Sequence, residues 1–270
     1  MSAPTSRAGA VGRWALNLFA AAAMVYLFVP IVWIVMFSFN DAAGRFNLVW
    51  QRFTLDNWSD PFSNQGLTDA FWNSLRIAAF STTVATVLGS MIALALARHR
   101  FRGSGSLNLL LVLPITTPEV VLGSSLAALF LDWDITRGFT TVVIAHVMFQ
   151  VSFVALTVRA RVRGFDWTLE QAAADLGATP WRTFWKVTFP LIVPGIMAAA
   201  LLSFALSIDD FIVTLFNRGT LNTFPIFIDG SFKVRFPAQI NVLASVVLVT
   251  SVTLMAVGAW AGARRRATAR

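Results

Sequence analysis

Six apolar runs constrain this chain more than any other feature: Trp14–Phe39, Ile77–Ala97, Leu107–Leu131, Phe139–Val158, Leu191–Phe216 and Ile240–Ala261. A membrane-spanning helix needs roughly 20 mostly apolar residues at about 1.5 Å of rise each, and every run meets that length. With 57% of residues hydrophobic and only 13% charged, too little charge remains to cover a water-soluble globule of 270 residues. The same hydrophobicity excludes disorder. The expectation is an all-α membrane protein with six transmembrane helices, forming a single transmembrane domain over residues 1–270. The first run outlasts the apolar core of a secretory leader and no A-x-A site follows it, so it reads as a retained helix. The chain has no cysteine, which removes disulfides, thiolate metal sites and cysteine nucleophiles.

The basic residues set the orientation. The net charge is +8. One side collects Arg7, Arg13, Arg98, Arg100, Arg102, Arg159, Arg161, Arg163, Arg182, Lys186, Arg264, Arg265, Arg266 and Arg270. The other has half as many: Arg45, Arg52, Arg76, Arg137, Arg218, Lys233 and Arg235. The positive-inside rule places the richer side, and both termini, in the cytoplasm of a plasma membrane protein. The basic excess then serves topology and lipid headgroups rather than nucleic acid. The first outer loop, Asn40–Ala70, is too long for a plain connector. It carries Asp41, Asp56, Asp60 and Asp69 among Trp50, Phe53, Trp58 and Phe62. Its length points to function, while its aromatics read first as interfacial anchors.

The cytoplasmic loop 159–189 reads as two short helices. Thr168 with Gln171 three residues on has capping-box spacing, and alanines continue the helix. Gly177 stands where a helix end takes positive φ. Thr179 caps the second helix, with Pro180 at its first position. Trp181, Phe184 and Trp185 form an apolar stripe suited to the membrane interface. A small, alanine-faced helix on a bend is a docking element of the helix-in-groove kind. The plainer alternative is a connecting loop.

The stretch Gln171-Ala172-Ala173, then Gly177, then Val187, Phe189 and Pro190 resembles the "EAA" loop of ATP-binding-cassette (ABC) importer permeases. In that pattern E-A-A is followed by three residues, G, nine residues and I-x-L-P. The spacing matches throughout. Val187 and Phe189 are conservative departures. Gln171 stands at the glutamate position, with Glu170 one place earlier. The resemblance implies a type I ABC importer permease fold. It also implies that this helix, with Glu170, Gln171, Ala172, Ala173, Asp175 and Gly177, couples the spans to an ATPase subunit. Leu206-Ser207-Ile208-Asp209-Asp210-Phe211, the run Pro237–Ala244, Ser38-Phe39-Asn40 and the Leu113–Glu119 region are similar to the spermidine/putrescine (PotC/PotI-type) family of polyamine importer permeases. That likeness implies several partners. They are a second, related permease subunit, two ATP-binding subunits that hold ATP and magnesium, and an extracytoplasmic solute-binding protein. This chain itself would carry no cofactor and no catalytic residue.

Three carboxylates fall within the expected spans: Glu119, Asp209 and Asp210. A charge at membrane depth is costly and by default faces a partner or a wet cavity. Glu119 lies roughly 18 Å along its span. Adjacent residues on a helix point about 100° apart, so one aspartate would line a pathway and the other bond a neighbour. Guiding a multiply charged organic cation is the functional reading, and fixing helix packing is the structural one. Pro114 and Pro118 are expected to break span three beside Glu119, and Pro194 to loosen span five. Trp33, Trp72 and Phe149 read as packing residues rather than cation-stacking ones. His146 and Gln150, at i and i+4, read as a hydrogen-bonding pair between helices rather than a proton relay.

No G-x-x-x-x-G-K-[ST] motif occurs, so the energy for uphill transport must come from another subunit. No zinc or triad motif is present, and a membrane enzyme has no support. A stand-alone secondary transporter or channel would explain the spans and acids but not the bent cytoplasmic helix pair. An ABC importer for another small solute, such as a sugar, would share the same loop.

Overall fold

A computed structural model describes the backbone of residues 7–99 and 101–268, and the side chains of 14–99 and 101–253. Arg7, Arg13, Arg100, Arg264, Arg265, Arg266 and Arg270, all used in the orientation argument, have side chains outside the described residues. The described chain is almost wholly helical. Two isolated β-bridges, Asn40 with Phe53 and Phe46 with Phe236, are its only extended pairings among the described residues. Four helices are long and apolar enough to cross a membrane: Trp14–Phe37, Gln65–Arg98, Phe139–Val162 and Pro180–Asp209. A bent pair makes a fifth span if counted as one. The sixth expected run lies on a helix from Ala238 to Thr268, whose described apolar part is Ala238–Thr253. Among the described residues the count is therefore four spans, or five with the bent pair, rather than the six expected, although each expected run falls on helix in sequence order.

The chain forms two compact units, Gly66–Asp229 and Met1–Gln65 with Gly230–Arg270. In the second of these, α1 (Arg7–Phe37) packs on α12 (Ala238–Thr268), and α2 (Asp56–Ser59) also meets α12. The loop after α1 is tied by a polar knot. Buried Asn40 donates to Asn47 Oδ1 at 2.6 Å and to the Val49 carbonyl, and accepts from the Gln51 N–H. Asn47 donates in turn to the Phe37 carbonyl. The Phe39 ring lies stacked against both Phe53 and Trp58, at 5.6 and 5.3 Å between centroids. The loop's aromatic rings thus pack on one another. Trp33 stacks on Phe37 in the same way.

The unit Gly66–Asp229 holds α3 (Gln65–Arg98), α4 (Ser104–Thr116), α5 (Glu119–Asp132), α6 (Phe139–Val162), α7 (Thr168–Asp175), α8 (Pro180–Thr183), α9 (Phe189–Asp209) and α10 (Ile212–Asn217). Helix α11 (Phe224–Val234) starts within it. Small residues let α3, α6 and α9 approach: Ala85, Ala93, Ala199, Val154, Val158 and Ile192 form one buried cluster. Gly89 is a tight point between α3 and α6. A Cβ there would sit 2.7 Å from the Val154 side chain and 2.9 Å from the Val151 carbonyl oxygen.

Span three is broken as expected, but at one proline only. Thr117, forced out of the helical region by the following Pro118, is extended (φ −77°, ψ 130°), and α4 and α5 meet at 107°. Pro114 stays inside α4. Span five departs from expectation in two places. Pro194 does not loosen it. The distortion is a π-turn at Phe184–Thr188, beside Pro190, which has no N–H to give to the preceding turn. The run to Phe216 is also not one helix. It stops at Asp209, Asp210 is extended (ψ 121°), and α10 restarts at Ile212.

Candidate functional site

Two constellations of polar residues each touch both α3 and α9: the first at mid-α3 and the C-terminal end of α9, the second at the C-terminal end of α3 and the start of α9. The first surrounds the break in span five. Asp210 Oδ2 accepts both the N–H and the hydroxyl of Thr214 at 2.7 Å, which starts α10 much as an N-cap would. His146 Nε2 from α6 lies 3.2 Å from the same oxygen and 2.9 Å from Thr214 Oγ1. His146 Nδ1 is 2.7 Å from Ser207 Oγ, and Ser207 Oγ is 3.2 Å from Ser81 Oγ on α3. The His146 and Asp210 side chains are 1% and 5% exposed. The network thus ties four helices together where water cannot substitute for a missing partner. Gln150 donates to the Ser203 carbonyl one turn away. His146 and Gln150 therefore serve as interhelical bonding residues, as their spacing suggests. Phe149 packs against His146 in a buried cluster.

The three membrane carboxylates separate. Asp210 is turned into the protein and bonded. Asp209 and Glu119 are exposed on this chain. Glu119 opens α5 directly after the proline break, where a carboxylate also complements the helix dipole. Trp72, half-exposed, packs edge-on against Phe71.

The second constellation is the loop pair α7–α8. Its start differs from the capping box expected of Thr168 and Gln171. Thr168 gives its N–H and hydroxyl to Asp166 Oδ1, at 3.0 and 2.7 Å, and no side chain of α7 caps its own helix. An Asx turn two residues earlier competes for the same donor and wins. Those two bonds, the hydroxyl's first, hold the Asp166 carboxyl below the usual carboxylate range. The C-terminus follows expectation. Gly177 has φ +80°, Ala178 N–H reaches the Ala173 carbonyl and Gly177 N–H the Ala174 carbonyl, closing a Schellman turn. Thr179 accepts the Arg182 N–H ahead of Pro180. Trp181 stacks on Phe184 and Trp185 meets both rings edge-on, with Trp181 72% exposed.

The side chains of α7 divide between two faces. Gln171, Ala172 and Asp175 are exposed, as is Gly177 after the helix. Glu170 and Ala173 turn inward. Glu170 Oε2 accepts from Arg98 at 2.8 Å, at the end of α3, and Oε1 accepts the Thr188 hydroxyl at 2.5 Å, at the start of α9. Arg98 also lies over the Trp167 ring at 6.0 Å. Sequence reasoning used Arg98 only for orientation and passed over Thr188. The one available signal was the displaced glutamate at 170. Arg159 on α6 binds Asn108 on α4.

Residues 85–264 match the family described as binding-protein-dependent transport system inner membrane component. The chain is 37% identical to the spermidine/putrescine transport system permease protein PotC of Escherichia coli (strain K12), over 91% of this chain and 92% of that protein. It is 34% identical to the putrescine transport system permease protein PotI of the same organism, over 83% and 82%. Among solved structures it is similar to a bacterial ABC transporter involved in the import of the acidic polysaccharide alginate. That match has a TM-score of 0.64 at 16% identity and covers 95% of this chain and 98% of that one.

Proposed function

From the premise that this chain belongs to the family of binding-protein-dependent transport system inner membrane components, with the ABC importer permease fold, we propose that it carries polyamines of the spermidine/putrescine class. It is a multi-pass membrane permease of an ABC importer. The observation that supports the substrate class is its identity to spermidine and putrescine permeases over most of both chains. The chemistry suits: Glu119 and Asp209 offer exposed carboxylates beside the two helix breaks, and a polyamine is a chain of cations separated by methylenes.

In this reading the chain acts as one transmembrane domain with both termini in the cytoplasm, and forms half of the translocation pathway opposite a related permease. Two partner subunits bind ATP and magnesium and hydrolyse the ATP. An extracytoplasmic protein delivers the solute. The outward residues Gln171, Ala172 and Asp175, on the bend made by Gly177, enter a groove of the ATPase. Inward-turned Glu170 and Ala173 support that helix from behind. Asp209 and Glu119 guide the cation, and Asp210 shapes the pathway by holding α10 in place.

The test is uptake of radiolabelled spermidine and putrescine into vesicles bearing the whole complex. Uptake requires ATP and the binding protein. E119Q and D209N each lower it about tenfold, the loss of one charged contact, while the ATPase subunits still co-purify. Uptake of a sugar instead of either polyamine, or uptake without the ATPase, refutes the reading. Because the chain has no cysteine, single introduced cysteines labelled from either side of the membrane test the orientation.

A further inference from the structure

We propose that Glu170 is a positioning residue that makes the α7 helix move as one body with the ends of α3 and α9, so that it transmits force rather than contacting the ATPase. The inference rests on the reading of this chain as an ABC permease, and goes beyond it by assigning the junction. Helix α7 buries none of its residues fully, and its packing is confined to α8 and the π-turn. A cavity of about 110 Å³, lined in part by Leu94, Arg98, Trp167, Phe184 and Thr188, lies beside the residues that Glu170 bonds. Two hydrogen bonds to one carboxylate join α7 to the spans. Oε2 accepts from Arg98 at the last turn of α3, and Oε1 accepts from Thr188 at the first turn of α9. The Glu170 side chain is 11% exposed, so water competes weakly for it. Thr188, 1% exposed, closes the π-turn that leads into α9.

A bond to a charged group is stronger and more directional than a neutral one. With one oxygen committed to each helix, the carboxylate triangulates α7 against two spans. Without it, α7 hangs on loop backbone, and a push on its outer face bends the loop before it tilts the spans. Residues on the outward face, by contrast, determine whether the ATPase docks at all. Docking and transmission thus separate on two faces of one two-turn helix.

The test uses the complete complex in lipid vesicles, carrying E170A, E170Q, R98A, or the charge-swapped pair E170R with R98E. The measurements are co-purification of the ATPase subunits, and polyamine molecules moved per ATP hydrolysed. E170A retains the ATPase subunits while molecules moved per ATP fall about tenfold, the loss expected for a charge-assisted bond. E170Q, which still accepts from Thr188, and R98A lose less, and the swapped pair recovers most of the ratio. Spin labels on cysteines placed at Ala174 and His99 give a readout that needs no solute. Their separation stays narrow through the nucleotide cycle in the parent and broadens in E170A. An unchanged ratio and unchanged label distances in E170A overturn the proposal. So does loss of the ATPase subunits from E170A, which would place Glu170 in the docking surface. A parent complex that hydrolyses ATP but moves neither polyamine refutes the substrate reading alone, and the label distances then decide the junction.

Discussion

Asp210 and Glu170 do the same geometric job in opposite surroundings. Each is a carboxylate that joins helices at a discontinuity: Asp210 at the break between α9 and α10, Glu170 at the bend between α7 and the spans. Helices α3 and α9 reach both places, through Ser81 in the middle of α3 and Ser207 near the end of α9 at the first, and through Arg98 and Thr188 at the second. At the first end the partners are a buried histidine, two serines and a threonine. At the second, Arg98 is 46% exposed. Removing a carboxylate from a dry network strands every donor it held, whereas at the second end water can take its place at Arg98 and only the buried Thr188 hydroxyl is stranded. The deep site therefore fixes the fold, and the shallow one can be altered without unfolding the chain. That makes the shallow site the better place for a moving part.

The comparison is broken most directly at Asp210. D210A is expected to destabilise the purified protein by about 3 kcal/mol in detergent unfolding, because Thr214 and His146 lose a partner in an apolar interior. A loss under 1 kcal/mol would mean that water reaches the α9–α10 break. Next in size is the tight helix contact midway between the two sites. G89A puts a Cβ against Val154 and a backbone oxygen, so α3 and α6 must part, at about 2 kcal/mol in the same assay. It should also lower transport, since α3 reaches both sites.

E170A sharpens the contrast from the other side. Its stability should fall by about 1 kcal/mol, well short of D210A, since Arg98 is half in water and only the Thr188 hydroxyl is left buried without its partner. An effect equal to that of D210A would erase the distinction. The smallest effect is expected at D166A. Amide exchange of the 168–175 peptide rises severalfold at neutral pH, while stability of the spans is unaltered. The sign with pH follows from the cause. Thr168 bonds only the ionised carboxylate and so lowers its folded-state pKa. The turn is intact above the ordinary carboxylate range and lost only as pH falls below it. Unchanged exchange in D166A would return the capping role to Thr168 itself.

Parts of this were readable from residues alone because their cause is local. Gly177 announces a left-handed turn, Thr179-Pro180 a helix start and Pro118 a break, since each is set by the steric limits of one or two residues. The apolar runs announce helices because the backbone has no alternative partner in lipid. Thr168 misled because Asp166, two residues earlier, offers a stronger acceptor, and spacing rules do not rank competing acceptors. Pro194 misled because a helix packed on α3 and α6 absorbs its missing N–H, whereas the strain at Pro190 was moved into a π-turn. The end of α9 was invisible because Ile208–Phe216 is apolar apart from its two aspartates. Only the bonds from Thr214 and His146 determine that the chain turns at Asp210.

By itself the sequence determined that this chain lives in a membrane, how many apolar segments it has, and where the bent pair of short helices between the fourth and fifth runs lies. Hydrophobic length and single-residue sterics act without reference to the rest of the fold. Tertiary structure alone decided which of three acidic side chains in the spans is bonded and which two stay exposed, and that Glu170 faces its own helices rather than outward. A carboxylate's role depends on the donors within about 3 Å of it. Apart from Thr214, four residues on from Asp210, those donors come from positions 18 to 72 residues away along the chain, where no sequence spacing rule reaches.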